Sequence, residues 1–244
     1  MLPIRDHNPS TGTPYVTLTL IGLNIVIFLI GLAYFQSDQA LARLYGTYAM
    51  TPLQLSYGEN FGTLVTSIFL HSGILHLAGN MLFLWIFGDN LEDEMGHVPF
   101  LIFYLACGIG ASFAQFATDP LSPTPVVGAS GAIAGVMGAY LLLFPKAKVD
   151  IFIFFVVFFR ILPIPAWLML GIWFALQLFN GFNIDTTRGG VAYWAHTGGF
   201  VIGLITTLPL WLKLGGPAFW QRTAGHPPHP EATYGRSNIP IVRR

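Results

Sequence analysis

One serine and one histidine stand where polar side chains are costly. Ser130, in Gly128-Ala129-Ser130-Gly131, opens a very apolar stretch, and His196 lies inside another. Polar side chains within hydrocarbon cost free energy, so those that occur there usually serve a function. A serine beside a histidine base is a nucleophile for acyl transfer, with hydrogen-bond donors to hold the oxyanion. The pair therefore predicts peptide hydrolysis by a Ser–His dyad, provided that the chain brings the two residues together.

The composition predicts that both residues belong to a membrane protein. Of the 244 residues, 54% are hydrophobic and 9% are charged, whereas soluble domains carry about 25% charged residues. A helix needs ~17–25 apolar residues to cross a bilayer. Runs of this length lie at 15–35, 74–91, 98–117, 128–144, 163–182 and 190–212. We expect an all-α membrane protein with one six-helix domain over residues 15–212.

The remaining segments are predicted to lie outside the hydrocarbon. Residues 1–14 and 213–244 are rich in proline, polar and basic residues, and we expect flexible tails. The apolar run 151–159 is too short to span and is followed by Pro163 and Pro165, which interrupt helices. It is predicted to be an interfacial segment, with a seventh span as the alternative. The 11 basic residues balance the 11 acidic ones, which gives no indication of nucleic acid binding.

The basic residues predict the orientation of the spans. With six spans, all of the 11 lysines and arginines except Arg43 and Arg188 fall on the side that holds both termini. Because loops rich in lysine and arginine stay in the cytoplasm, both tails are predicted to be cytoplasmic in a plasma or inner membrane. The loops 36–73 and 118–127 then lie on the outer side.

This orientation brings the unusual polar residues to one depth. Ser130 begins the fourth span after the loop 118–127, and His196 lies in the outer turns of the sixth. At 1.5 Å per residue, both fall within roughly 10 Å of the outer boundary. His76 and Asn80, four residues apart on one face of the second span, lie at a similar depth. These two side chains and the backbone N–H of Ser130 are predicted to hold an oxyanion.

Rows of small residues predict that the fourth and sixth spans cross closely. Each span carries a small residue at every fourth position, namely Ser130, Ala134 and Gly138 in the fourth and Ala195, Gly199 and Gly203 in the sixth. Such spacing lets helix backbones approach closely in membranes. A crossing near Ser130 would put the His196 ring within hydrogen-bond reach. Packing alone is the alternative explanation of the glycines.

Other functions fit the polar residues less well. His71, His76 and His196 could in principle bind a metal, since histidine is a common ligand, but no carboxylate or thiolate accompanies them. We therefore expect neither a metal nor another cofactor. A transporter would carry polar groups near the bilayer midplane and often inverted repeats, and neither is visible here.

These residues resemble the rhomboid family of intramembrane serine proteases. The resemblance covers about residues 15–212 and is carried by Gly128-Ala-Ser130-Gly131, by His196 with the glycines that follow it, and by the stretch from His71 through His76 to Asn80. It implies a six-transmembrane-helix bundle with a cavity open to the extracytoplasmic side. It also implies a serine endopeptidase that needs no cofactor and cleaves transmembrane protein substrates in or near the lipid bilayer. Ser130 matches the family's nucleophile, His196 its base, and His76 and Asn80 its oxyanion side chains.

Two features of the sequence depart from the family pattern. Gly62-Thr63 stand where the family often has Trp-Arg in the first outer loop, and Ala134 stands where some members have a tyrosine stacked on the histidine. Because of the first departure, the resemblance does not predict the detailed structure of the outer loop. The second departure predicts that His196 is held less rigidly than in those members. The alternative function is a catalytically inactive rhomboid-like membrane chaperone or scaffold, which would keep the fold but typically lose the serine or the histidine.

Overall fold

The computed structural model describes residues 2–155, 158–183 and 190–232, and most of them are helical. The helices within these ranges are α1 (Tyr15–Gly31), α2 (Asp38–Tyr48), α3 (Pro52–Ser56), α4 (Thr63–Thr66), α5 (Ile74–Met95), α6 (His97–Thr118), α7 (Ser130–Leu143), α8 (Ala166–Asn183), α9 (Tyr193–Leu214) and α10 (Pro217–Thr223). The 3-10 turns Leu32–Gln36 and Ser67–Phe69 continue α1 and α4. The strands are β1 (Leu2–Asp6), β2 (Lys148–Phe155) and β3 (Phe158–Pro165).

A helix occupies each of the six predicted spans. Among the described residues, four helical stretches are long and apolar enough to cross a bilayer: Tyr15–Gln36, Ile74–Met95, His97–Thr118 and Tyr193–Leu214. The apolar helix α7 has 14 residues, about 21 Å at 1.5 Å per residue, which is less than a hydrocarbon core of about 30 Å. Because α7 is buried along nearly its whole length, other helices rather than lipid surround it.

Helices α7 and α9 cross with their backbones in contact, as the small-residue rows predict. A Cβ atom added at Gly199 would overlap the carbonyl oxygen of Gly131, and one at Gly203 would overlap that of Gly135. Only hydrogen in place of a side chain allows this approach. The packing explanation of the glycines and the functional one are therefore compatible, because the same crossing sets the distance between the first turns of the two helices.

The loop 36–73, which we predict to lie on the outer side, is folded rather than extended. It contains α2, α3 and α4. Gly62 and Thr63, which replace the Trp-Arg of many family members, lie at the start of α4. The Thr63 hydroxyl donates a hydrogen bond of 2.6 Å to the carbonyl of Asn60. Met50 and Val126 exchange two backbone hydrogen bonds of 3.2 and 2.8 Å. This bridge fixes the segment that leads into α7 to the loop 36–73.

Within the run 151–159, predicted to be interfacial, residues 151–155 and 158–159 lie in two antiparallel strands. Strand β2 pairs with β3 from Lys148–Pro165 to Phe155–Phe158, and β1 pairs with the other edge of β2. Aromatic and β-branched residues favour strands, and proline is tolerated on an edge strand such as β3. The all-α prediction is corrected accordingly: the helical bundle carries a three-stranded sheet.

The described parts of both tails make specific contacts with the rest of the chain. In the N-terminal tail, Leu2–Asp6 form β1, and the side chains of Arg5 and His7 each lie 2.7 Å from the Asp150 carboxylate. Burial alone would raise the pKa of Asp150, but the hydrogen bonds from His7 and Arg5 hold it below its usual value. In the C-terminal tail, the backbone N–H of Ala232 donates to the His7 carbonyl at 2.6 Å. Residues 233–244, and Arg188 with residues 184–189, lie outside the described residues.

A buried carboxyl group joins the sheet to the bundle. Asp6 is 7% exposed, and it accepts hydrogen bonds from the Asn90 amide at 2.7 Å and from the Tyr140 hydroxyl at 3.2 Å. Burial, together with the nearby carboxyl group of Asp89, raises the pKa of Asp6 to about 7. Folding therefore favours the protonated form of this side chain.

We expect Asp6→Asn to stabilise the protein at pH 8 and to weaken the pH dependence of its stability. Because the folded-state pKa lies above the unfolded value, ionisation of Asp6 costs stability progressively as the pH rises from about 4 to about 7. The full cost at pH 8 is of the order of 2–4 kcal/mol, and the neutral amide avoids it. Thermal unfolding in detergent at pH 5 and pH 8 measures the effect. An identical pH dependence in both proteins would show that Asp6 does not titrate in this range.

Candidate active site

Ser130 and His196 meet where α7 and α9 begin. Ser130 is the first residue of α7, and His196 lies in the first turn of α9. The His196 Nε2 and the Ser130 Oγ are 2.7 Å apart, which is a hydrogen-bonding distance. The predicted pair therefore has the contact that a base needs in order to activate a hydroxyl nucleophile.

The turn that presents Ser130 depends on Gly128. Its φ of 128° is disfavoured for residues with a Cβ atom, and its N–H donates to the carbonyl of Ser67 at 2.9 Å. A Cβ at this position would lie 2.8 Å from the Nε2 of His76 and 3.5 Å from the Ser130 Oγ. Glycine therefore permits the turn and leaves space between the nucleophile and the imidazole of His76.

His76 and Asn80 lie on the α5 face that looks toward this turn. The His76 Nδ1 lies 3.0 Å from the Ser72 hydroxyl, which leaves Nε2 directed toward Gly128. The Asn80 amide lies 2.9 Å from the His71 Nε2. Burial and the neighbouring His76 lower the pKa of His71 to about 4, so His71 is neutral near pH 7 and can accept from Asn80. His71 thus has a structural role: it orients one of the predicted oxyanion side chains.

All four predicted site residues line one cavity of about 850 Å³. Its wall also includes Gln115, Met137 and Trp173, and its rim contains loop residues from 122–127 and 190–192. Pockets of this size hold drug-sized ligands, so an extended peptide segment can enter. The cavity combines apolar walls with a few polar groups at the Ser130 end.

Two side chains that belong to no recognised motif also contact His196. The Oε1 of Gln177 lies 2.9 Å from the His196 Nδ1, and the Trp173 ring lies against the imidazole with centroids 5.8 Å apart and planes tilted by 33°. Polarity was the available signal for Gln177, since a glutamine in a predicted span is unusual. Trp173 gave no comparable signal, because an aromatic residue in an apolar run is ordinary.

A third contact supports the start of α9. The Gln115 Oε1 accepts a hydrogen bond of 3.1 Å from the backbone N–H of Ala195. The first N–H groups of a helix lack intrahelical partners, and inside a membrane they need partners from elsewhere. Gln115 provides one directly beside His196 and so ties α6 to the turn that carries the base.

The three histidines of the alternative metal site are not arranged as a set of metal ligands. Among the residues that the structure describes, no three His, Cys, Asp or Glu side chains are grouped to hold a metal ion. The His71 Nε2, the His76 Nδ1 and both nitrogens of His196 lie instead within hydrogen-bonding distance of Asn80, Ser72, Gln177 and Ser130.

Comparison with known proteins relates this chain to one family. The rhomboid domain model matches residues 58–213. The mitochondrial rhomboid protein 1 of Saccharomyces cerevisiae is 30% identical over 203 residues, which are 80% of this chain and 53% of that protein. The rhomboid protease GluP of Bacillus subtilis is 36% identical over 141 residues, 54% of this chain and 25% of GluP. The mitochondrial RHOMBOID-like protein 6 of Arabidopsis thaliana is 44% identical over 172 residues, 56% of this chain and 54% of that protein. The chain thus spans about half or less of these relatives' lengths.

Proposed function

Because this chain belongs to the rhomboid family, we propose that it is an intramembrane serine endopeptidase. It would hydrolyse peptide bonds in or near the transmembrane segments of membrane proteins. The observation that carries the proposal is the distance of 2.7 Å between the His196 Nε2 and the Ser130 Oγ, at the wall of a cavity of about 850 Å³. The printed name of the relative GluP, a rhomboid protease, agrees with it.

The proposed reaction has two halves. Ser130 attacks the scissile carbonyl carbon while His196 takes the hydroxyl proton, and His196 then gives that proton to the leaving amine. In the second half, the same imidazole takes a proton from a water molecule as the water oxygen attacks the acyl carbon, and it then gives that proton to the Ser130 oxygen as the ester bond breaks. Both halves need only one base, and no metal or other cofactor takes part.

The negative charge of each tetrahedral intermediate would lie between α5 and the start of α7. His76 and Asn80 present N–H groups on the α5 side, and the backbone N–H of Ser130 belongs to a first turn without intrahelical partners. Donors fixed in advance in a place with little water stabilise developing charge strongly. The positive end of the α7 dipole adds to this effect.

We expect His76→Ala and Asn80→Ala each to lower kcat by about 10²–10³-fold, which is the usual effect of losing one oxyanion donor. KM should change less, because the bound substrate does not carry this charge, which develops only as the tetrahedral intermediate forms. Steady-state kinetics with a tagged single-span substrate in liposomes measures both constants. His97→Ala is the matched histidine control, since the His97 Nδ1 lies 2.5 Å from Glu92 at the other end of α5. If both variants kept the full kcat, the two side chains would serve packing only.

We also propose that all six helices cross the bilayer, that both tails are cytoplasmic, and that the cavity opens to the outer side of a plasma or inner membrane. The distribution of basic residues supports this orientation. Its test uses cysteines at the exposed residues Leu121 and Gln221 in a Cys107→Ala background. An impermeant maleimide added to intact cells should label position 121 and not position 221, and the reverse pattern would refute the orientation.

A panel of tagged single-span proteins, incubated with the purified protein in liposomes, tests the proposed activity. Cleavage by the wild type and not by Ser130→Ala supports it, as does covalent labelling by a fluorophosphonate. A well-folded wild type that neither cleaves any member of the panel nor reacts with the probe would favour the inactive chaperone or scaffold.

A further inference from the structure

We infer that Gln177 is a positioning residue: its amide oxygen accepts the Nδ1–H of His196 and so directs the Nε2 lone pair toward Ser130. The inference rests on the proposed protease function and deepens it. A neutral imidazole has one N–H donor and one acceptor nitrogen. If Nδ1 carries the hydrogen, Nε2 can take the Ser130 proton; in the other tautomer it cannot.

The placement of Gln177 on α8 favours a specific role. Its side chain is buried, at 8% exposure, while the nearby α8 residues Leu176 and Phe179 are 51% and 63% exposed. A buried glutamine amide needs a hydrogen-bond partner, and the His196 Nδ1 at 2.9 Å provides it. Such a partner commonly fixes which nitrogen of a histidine carries the proton.

Trp173 adds a second constraint from the same helix. It lies four residues before Gln177 and therefore on the same face of α8, with its ring against the imidazole of His196. Trp173 also contacts Phe200, one turn further along α9, with centroids 6.1 Å apart. The stacking that Ala134 cannot provide from α7 is thus provided from α8. Our expectation of a loosely held His196 is corrected by these two contacts.

The surroundings of His196 allow an electrostatic test of the inference. His76 on α5 is the titratable group that acts on His196 from a neighbouring helix, and Asp119 at the end of α6 lines the same cavity. A carboxylate at position 177 would be a new charge in direct contact with the ring. Unlike an amide, it can only accept a hydrogen bond, so it reveals which role position 177 has.

The experiment compares Gln177→Met, Gln177→Glu and the wild type. Methionine keeps the length of the side chain without the acceptor, and it should lower both kcat/KM and the rate of fluorophosphonate labelling by about 10–100-fold, less than the loss of the base itself. Glutamate should restore the rate to within a few-fold of the wild type at alkaline pH. The acidic limb of the pH profile of kcat/KM for Gln177→Glu should move to higher pH by about one pH unit or more, because a carboxylate stabilises the protonated His196 ring.

Asn24→Leu is the matched control, since the Asn24 amide is buried and bonds only within α1, to the Leu20 carbonyl; it should react like the wild type. Full activity of Gln177→Met with an unchanged pH profile would overturn the inference while leaving the dyad intact. If Gln177→Met fails to fold, the glutamate variant decides: an acidic limb at the wild-type pH overturns the inference. Failure of the proposed function looks different, because the wild type itself would then not react with the probe.

Discussion

Replacing either member of the dyad should abolish proteolysis. We expect Ser130→Ala and His196→Ala each to lower kcat by about 10⁶-fold, the loss found when a serine nucleophile or its histidine base is removed. The double variant should be no worse than either single one, because the two side chains act in one proton transfer. Both variants should fold, since each change removes polar atoms at the cavity wall and leaves the helix crossing untouched.

The physical reason is that neither residue reacts alone. A serine hydroxyl is a weak nucleophile until an adjacent base takes its proton, and the His196 Nε2 is the base within reach at 2.7 Å. The oxyanion donors stabilise the charge that develops during attack, but they supply neither a nucleophile nor a base. Residual cleavage in the variants would therefore have to come from attack by water.

Kinetics in liposomes and fluorophosphonate labelling measure this prediction in parallel. Ser112→Ala is the matched serine control, because the buried Ser112 hydroxyl bonds to the Gly108 carbonyl within its own helix; it should keep full activity. Robust turnover by a folded Ser130→Ala protein would refute the mechanism. Clearly additive losses in the double variant would instead assign His196 a role independent of Ser130.

The meeting of Ser130 and His196 was predictable because two independent patterns agree. The order of apolar runs puts both residues at one depth, and small residues at every fourth position bring the two backbones together. The contacts of Gln177 and Trp173 were not predictable in the same way. The polarity of Gln177 indicates that its side chain faces the bundle interior, but the sequence of α8 leaves open which neighbouring side chain it meets.

The sheet was missed for a different reason. Strands β1 and β2 pair although they are far apart in the sequence. The hydrogen bond between Arg5 and Asp150, for example, joins residues 145 positions apart. Taken alone, the proline-rich and polar residues 1–14 have the composition of a flexible segment. Their partners are the backbone edge of β2 and the buried Asp150, and only the folded chain brings those within reach.

The helix crossing that positions the dyad leads to the second large expected effect. Gly203→Val should destabilise the protein and slow fluorophosphonate labelling by at least about 10²-fold, although Gly203 touches no reacting atom. It lies seven residues beyond His196, about 10 Å along α9. A valine there would have to overlap the carbonyl of Gly135, and a backbone carbonyl cannot rotate away as a side chain can. The helices must separate, and the hydrogen bond between His196 and Ser130 lengthens with them.

Overpacking of a core usually costs about 1–3 kcal/mol, and we expect Gly203→Val to reach or exceed the upper value because backbone atoms are involved. Gly171→Val on α8 is the matched control, since nothing lies within 4 Å of a Cβ added there. Both changes place a valine in a helix, but only the valine at position 203 overlaps a backbone carbonyl. Thermal unfolding and the labelling rate separate the two effects. If Gly203→Val matched Gly171→Val in both, the backbones of α7 and α9 would not be in contact, and the distance between Ser130 and His196 would have to be set elsewhere.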